Sequence, residues 1–201
     1  MSRRNEQTIG EAVPDLLTDL LSIGGGRVGP LRAAVAGKRA AVVVFWSGIC
    51  SHCARYDEFL NSFTTRYPAI ALVVIACRQE ESRQDVQTTA ARRGLCFPIL
   101  YDTDRHIAHA WLVQQTPRVF LLDPDLRLAY RGAIDNFKYP ADPDYRPYLE
   151  QAIDNLLGGR PITRAETPSF GCAIESVYYS LPKPVAPLPN QSPWRADGSS
   201  N

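Results

Sequence analysis

Two cysteines three positions apart, Cys50 and Cys53 in the run Cys50-Ser51-His52-Cys53, are the residues of this chain best suited to chemistry. Such a pair closes a small disulfide ring and reopens it by thiol–disulfide exchange. The residues that follow read as a helix, because Tyr56, Phe59, Leu60 and Phe63 recur at i, i+3, i+4 and i+7. Unpaired N–H groups and a partial positive charge at a helix start favour thiolate over thiol. Cys50 is therefore expected to be the more acidic and exposed sulfur and the attacking nucleophile, with Cys53 a turn deeper as the resolving thiol. C-x-x-C also opens many structural zinc sites, which need two further ligands. Cys77, Cys96 and Cys172 are scattered, and His106 and His109 read as surface histidines on an apolar segment. The reading is a redox dithiol with no metal and no bound cofactor; inert cysteines are the remaining alternative.

The elements that must hold this pair follow from the apolar pattern. Ala41 to Trp46 and Ile70 to Cys77 are continuous apolar runs rather than alternations, so they read as neighbouring parallel strands buried on both faces. Ser82 to Arg93 reads as a helix, Arg105 to Leu112 as another behind the cap Asp102-Thr103-Asp104, and Arg118 to Leu122 as a strand. Leu128 to Arg131 returns antiparallel, and Tyr145 to Leu157 is an amphipathic last helix. Near the start, Leu16, Leu17, Leu20 and Leu21 are spaced to cover a core edge, and Val28 to Ala36 fits a short helix. The expected class is α/β, with a central mixed sheet and helices on both faces. We divide the chain into a loose N-terminus, 1–12, a folded domain, 13–158, and a Pro-rich extended tail, 159–201. The tail carries Cys172, and its end from Pro182 is expected to be disordered.

With 201 residues and a formal net charge of +1, a single domain with extensions is expected, without a broad nucleic-acid surface. No stretch is long and apolar enough to span a membrane, and Met1 to Leu21 lacks the apolar run of a secretory signal. The expected compartment is the cytoplasm, where a C-x-x-C pair is more often catalytic than structural; an exported mature form stays open.

Five segments together resemble the redoxin branch of the thioredoxin-like superfamily, related to the alkyl hydroperoxide reductase and thiol-specific antioxidant proteins. They are Phe45-Trp46 through Cys53, Phe97 to Asp102, Thr116-Pro117, Tyr130 to Asp135, and the tail run Gly171-Cys172-Ala173-Ile174. The resemblance implies a thioredoxin-like fold and a cis Thr116–Pro117 bond lying against the dithiol, where the Thr116 backbone offers strand-like hydrogen bonds to a substrate. The chain departs from thioredoxins at Val44, where they carry a buried aspartate; Asp57 or Glu58 is the expected substitute. It departs again at Ser51-His52, where a cationic His52 beside the thiolate would make the couple more oxidising than thioredoxin. Cys77 and Cys96 read as small core side chains. Cys172 is either a docked packing residue or a third thiol reaching the active-site mouth.

The function expected is thiol–disulfide oxidoreductase, with Trp46, Ile49, Thr116 and Pro117 forming an apolar docking rim. Its partners would be protein or small-molecule disulfides and thiols and an external thiol reductant or oxidant. One alternative is a thiol peroxidase with Cys50 peroxidatic, Ser47 orienting the peroxide and Arg118 stabilising the leaving oxygen; Val43 stands where the peroxidase loop has proline. The other is a non-catalytic thioredoxin-like binding module.

Overall fold

The computed structural model describes residues 7–15, 20–26 and 29–175. Leu16 and Leu17, residues 1–6 of the loose N-terminus and the expected disorder beyond Pro182 lie outside them. The central strands are β2 (Ala40–Trp46) and β3 (Ile70–Ala76), paired in parallel, with every residue of both buried. β4 (Ile99–Tyr101) extends the parallel set, and β1 (Leu21–Ser22) closes that edge antiparallel. On the other side β6 (Arg118–Leu122) and β7 (Leu128–Gly132) run antiparallel, giving the order β1-β4-β3-β2-β6-β7. A separate two-stranded ribbon pairs β5 (Gln115–Thr116) with β8 (Cys172–Ala173).

Side-chain alternation along β2 splits the core in two. Val42, Val44 and Trp46 face one apolar cluster, against α3 (Asp57–Arg66), α4 (Arg83–Arg92) and α6 (Tyr148–Leu157). Ala41, Val43 and Phe45 face the other, against α1 (Leu31–Ala34) and α5 (His106–Ala110). There the rings of Phe45, Trp111 and Phe120 meet mutually at 5.0 to 5.7 Å between centroids. Each such pair adds about 0.5–1.5 kcal/mol beyond its buried area. Ser82 and Asp85 form a capping box on α4, and the Asp102 carboxylate, in the run expected to cap the next helix, accepts the Ala108 N–H at 2.9 Å.

The helix expected from Ala54 to Phe63 is instead two. α2 (Ser51–Ala54) starts directly after Cys50, and α3 begins after a step at Arg55–Tyr56. The step is held because Tyr56 turns inward to donate to Asp135 Oδ1 at 2.6 Å, while Arg55 lies over the rings of Phe137 and Tyr139.

The segment expected to be loose is tied down where it is described: Gly10 N–H bonds Leu128 O at 2.7 Å, and Ala12 bridges Arg127. The described part of the tail, residues 159–175, holds no helix, as expected, and is firmly docked. The Thr167 N–H donates to Arg131 O at 3.1 Å, the Arg131 N–H donates to Ala165 O at 2.9 Å, and Thr167 Oγ1 accepts the Ala133 N–H at 3.0 Å. Ile174 is buried in the second cluster. This docking carries the tail across the sheet end where the cysteines lie.

Candidate active site

β2 ends at Trp46, and the turn Ser47-Gly48-Ile49 leads to Cys50, which occupies the residue before the first helical turn. The five cysteines are unbridged. Two side chains from elsewhere shape the turn. Glu81, buried beyond the end of β3, accepts from Ser47 Oγ at 2.5 Å and from the Ile49 N–H at 3.2 Å. A Cβ at residue 48 would sit 2.6 Å from Glu81 Oε1, so this close approach requires glycine. Burial pushes the Glu81 carboxyl up, partly offset by these hydrogen bonds. From the other side Arg93 donates to Gly48 O at 2.8 Å and pairs with Asp57.

The Thr116–Pro117 bond is cis, as the resemblance implies, and the protonated Cys50 thiol donates to Thr116 O at 3.2 Å. Cys172, on β8, is in register with Thr116. Its sulfur, the Cys50 sulfur and a His52 ring nitrogen all lie within 4.8 Å of one another. His52 Nδ1 is 3.8 Å from Cys172 Sγ, and its ring stacks on Phe137 at 5.1 Å. Cys50, His52 and Cys172 are thus a set of soft ligands, brought together although far apart in sequence; a tetrahedral zinc site would need a fourth.

The two dithiol sulfurs are pushed in opposite directions. Hydrogen bonding from the Cys53 thiol is the largest influence on Cys50; with further hydrogen bonds from the Cys172 side chain and backbone it outweighs burial and lowers Cys50 to about 4. Burial and the adjacent Cys50 push Cys53 well up. The acidity order matches the expectation, but its leading cause is a pair of neighbouring thiols rather than the His52 imidazole.

Several expectations fail here. Cys50 is not exposed: it retains 1% of its accessible surface, with Thr116 and the tail's Cys172 lying against it. Trp46 is not part of a docking rim; it is 0% exposed, because it continues a strand covered on both faces, and Arg93 lies over its ring. Thr116 and Pro117, expected at the same rim, are likewise buried. Ile49 is 51% exposed, with Phe137 and Phe170 as further exposed apolar side chains. Cys96 is exposed rather than core, because its N–H is held by Asn61 in the loop after α4, whereas Cys77 is buried as expected. Asp57 is engaged by Arg93, and the buried carboxylate of this neighbourhood is Glu81, which sequence reasoning missed. His106 and His109 are half exposed, His109 meeting Glu175 at 2.8 Å.

This fold and this dithiol define a thioredoxin-like protein. The AhpC/TSA family profile matches residues 9–131, and the chain belongs to that family. The thiol-disulfide oxidoreductase ResA of Geobacillus kaustophilus is 26% identical over 115 residues, 57% of this chain, so the chain spans 63% of that relative's length. ResA of Bacillus subtilis is 26% identical over 81 residues, covering 40% of this chain and 45% of its own. Among solved structures, an uncharacterized conserved protein of Geobacillus kaustophilus matches with a TM-score of 0.73 at 27% identity, covering 86% of this chain and 94% of its own. A hypothetical protein of Sinorhizobium meliloti matches at 0.72 and 29%, covering 85% and 95%. A putative thiol:disulfide interchange protein DsbE of Chlorobium tepidum, at 0.61 and 21%, covers 76% of this chain and all of its own, and shares the fold. Among the described residues no helix is long and apolar enough to cross a membrane.

Proposed function

We propose that the protein is a thiol–disulfide oxidoreductase in which Cys50 is the nucleophile and Cys53 the resolving thiol. The observation that carries this reading is the split between adjacent sulfurs, Cys50 held to about 4 and Cys53 pushed well up. A substrate disulfide is attacked by the Cys50 thiolate, which displaces one substrate sulfur as thiolate and forms a mixed disulfide. Cys53, losing its proton, then attacks Cys50 Sγ, releases the second substrate thiol and closes the Cys50–Cys53 bond. Two electrons pass from the dithiol to the substrate, and two external thiols, or one external dithiol, return them and leave as a disulfide. The activity named for the ResA relatives supports the same class.

The substrates in this reading are protein or small-molecule disulfides and thiols, met at the rim that includes Ile49, Phe137 and Phe170. A cytoplasmic setting belongs to the same proposal, and would leave the resting dithiol reduced. The peroxidase alternative is disfavoured by one contact: the Ser47 hydroxyl donates to Glu81 and is not directed to a peroxide. A non-catalytic binding module gives no reason for the Cys50–Cys53 acidity split.

Reduction of insulin disulfides under a dithiol reductant tests the proposal. Wild type should accelerate it, Cys50→Ser should not, and Cys53→Ser combined with Cys172→Ser should accumulate a mixed disulfide with substrate. Equal rates for wild type and Cys50→Ser would reject the assignment.

A further inference from the structure

The tail strand β8 lies on the backbone edge of Thr116. Gly171 makes the approach possible, since a Cβ there would fall 1.8 Å from Thr116 O. Both sides of Cys172 are anchored. Gln115 Nε2 donates to Ser169 Oγ at 2.9 Å and Arg118 to the same oxygen at 3.1 Å. Beyond it, Ile174 N–H bonds Gln114 O at 3.0 Å, Ile174 O accepts from Gln79 N–H at 2.9 Å, and Glu175 pairs with Arg105 and His109. The chain thus places one of its own cysteines beside Cys50, held by the kind of backbone pairing expected of a peptide substrate. Cys50 beneath is nearly closed to solvent, while Cys172 is only partly buried.

Resting on the oxidoreductase reading above, we propose that Cys172 is a third catalytic thiol, a relay that carries the disulfide from covered Cys50 outward to substrate thiols. In the relay step the Cys172 sulfur attacks Cys50 Sγ of the oxidised Cys50–Cys53 pair. The Cys50–Cys172 bond forms, the Cys50–Cys53 bond breaks, and the electron pair leaves on Cys53 sulfur. Cys53 takes up the proton that Cys172 gives off, so the exchange is neutral in protons and electrons. An external thiolate then attacks Cys172 Sγ and forms a mixed disulfide there, displacing Cys50 as thiolate. A second external thiol attacks the substrate sulfur and leaves with it as a disulfide, returning Cys172 to its thiol. Run backwards, the same steps reduce an external disulfide.

The electrostatics favour each step. Burial and the neighbouring Cys50 raise the Cys172 thiol, while Arg78 lowers it. When Cys50 is bonded in a disulfide it carries no charge, so one of the influences opposing Cys172 ionisation is removed. Cys50, lowered to about 4, is a good leaving group for the outward step, because sulfurs of low pKa leave faster. Buried Cys53, pushed up, keeps the proton it receives.

The test uses the full chain, reduced and then titrated with oxidised glutathione, acid-quenched, alkylated and mapped by mass spectrometry. Wild type should show both Cys50–Cys53 and Cys50–Cys172 linkages, and Cys53→Ser should form Cys50–Cys172 alone. Starting from the oxidised proteins, Cys172→Ser should pass its disulfide to reduced glutathione at least about tenfold more slowly than wild type. The proposal is overturned if Cys50–Cys53 is the sole linkage in wild type, and equally if Cys172→Ser transfers at the wild-type rate. It is overturned too if the reduced protein retains one zinc ion through Cys50, His52 and Cys172 and forms no Cys50–Cys172 bond in its presence or after chelation. Cys50→Ser in the insulin assay keeps the two readings apart: its inactivity together with a full-rate Cys172→Ser sinks the relay and spares the oxidoreductase.

Discussion

Removing the Cys172 thiol should lower the reduction potential of the Cys50–Cys53 couple, by an amount that follows from the geometry. At pH 7 a thiol of pKa about 4 is ionised to about one part in a thousand remaining protonated, whereas thioredoxin's, near 7, is half ionised. The difference is about 2.7 decades of stabilisation of the reduced form, or about 80 mV at roughly 30 mV per decade for two electrons. Ionisation alone therefore places the wild-type couple near −190 mV, against about −270 mV for thioredoxin. Cys172 supplies one of the hydrogen bonds behind this, and such bonds to a charged group contribute about 1.5–3 kcal/mol. Cys172→Ala should then raise Cys50 by roughly one to two units and drop the potential by about 30–60 mV. His52→Pro should drop it less, because His52 is not among the leading influences on Cys50. Equilibration in glutathione buffers at fixed pH, followed by alkylation and mass measurement, reads all three proteins. The reasoning is refuted if Cys172→Ala matches wild type within error, or if His52→Pro causes the larger fall.

Three further outcomes follow from the same contacts. Glu81 has its folded-state pKa raised by burial, so its contribution to stability is fully present below the unfolded value and is lost as pH rises through the folded one. Urea unfolding of Glu81→Gln should accordingly show a flatter dependence from about pH 4.5 upward than wild type; parallel curves would show that Glu81 is not the group responsible. Gly171→Ala forces β8 off Thr116 and should cost at least about 1 kcal/mol while speeding iodoacetamide labelling of Cys50; unchanged labelling would mean the tail does not cover the sulfur. In the native protein Cys96 should be alkylated promptly and Cys77 only in denaturant, as peptide mapping will read.

Much of the fold was legible because its signals are local. The uninterrupted apolar runs of β2 and β3 mark strands buried on both faces, and the polar, helix-compatible run from Ser82 to Arg93 marks α4. Cys50, Cys53 and the Thr116–Pro117 pair were legible as motifs. The placement of Trp46 was misread against the very rule that identified its strand: double burial leaves no edge for a docking rim. Glu81 escaped notice because it sits in the polar run Gln79 to Arg83, and only the alignment of the ends of β2 and β3 brings it beneath Gly48. The covering of Cys50 depends on a two-residue ribbon, β5 with β8, whose strands are too short for any periodicity to announce. Cys96 looked buried by residue type, yet the loop after Gly94 holds it outward through Asn61.

The central claim, that Cys50 is ionised at neutral pH by its neighbours, is tested most directly by the pH titration of thiolate absorbance in the reduced protein, taken as the difference from Cys50→Ser. A transition near pH 4 is the predicted result. A transition in the range of an ordinary thiol, around 8.5, would contradict it.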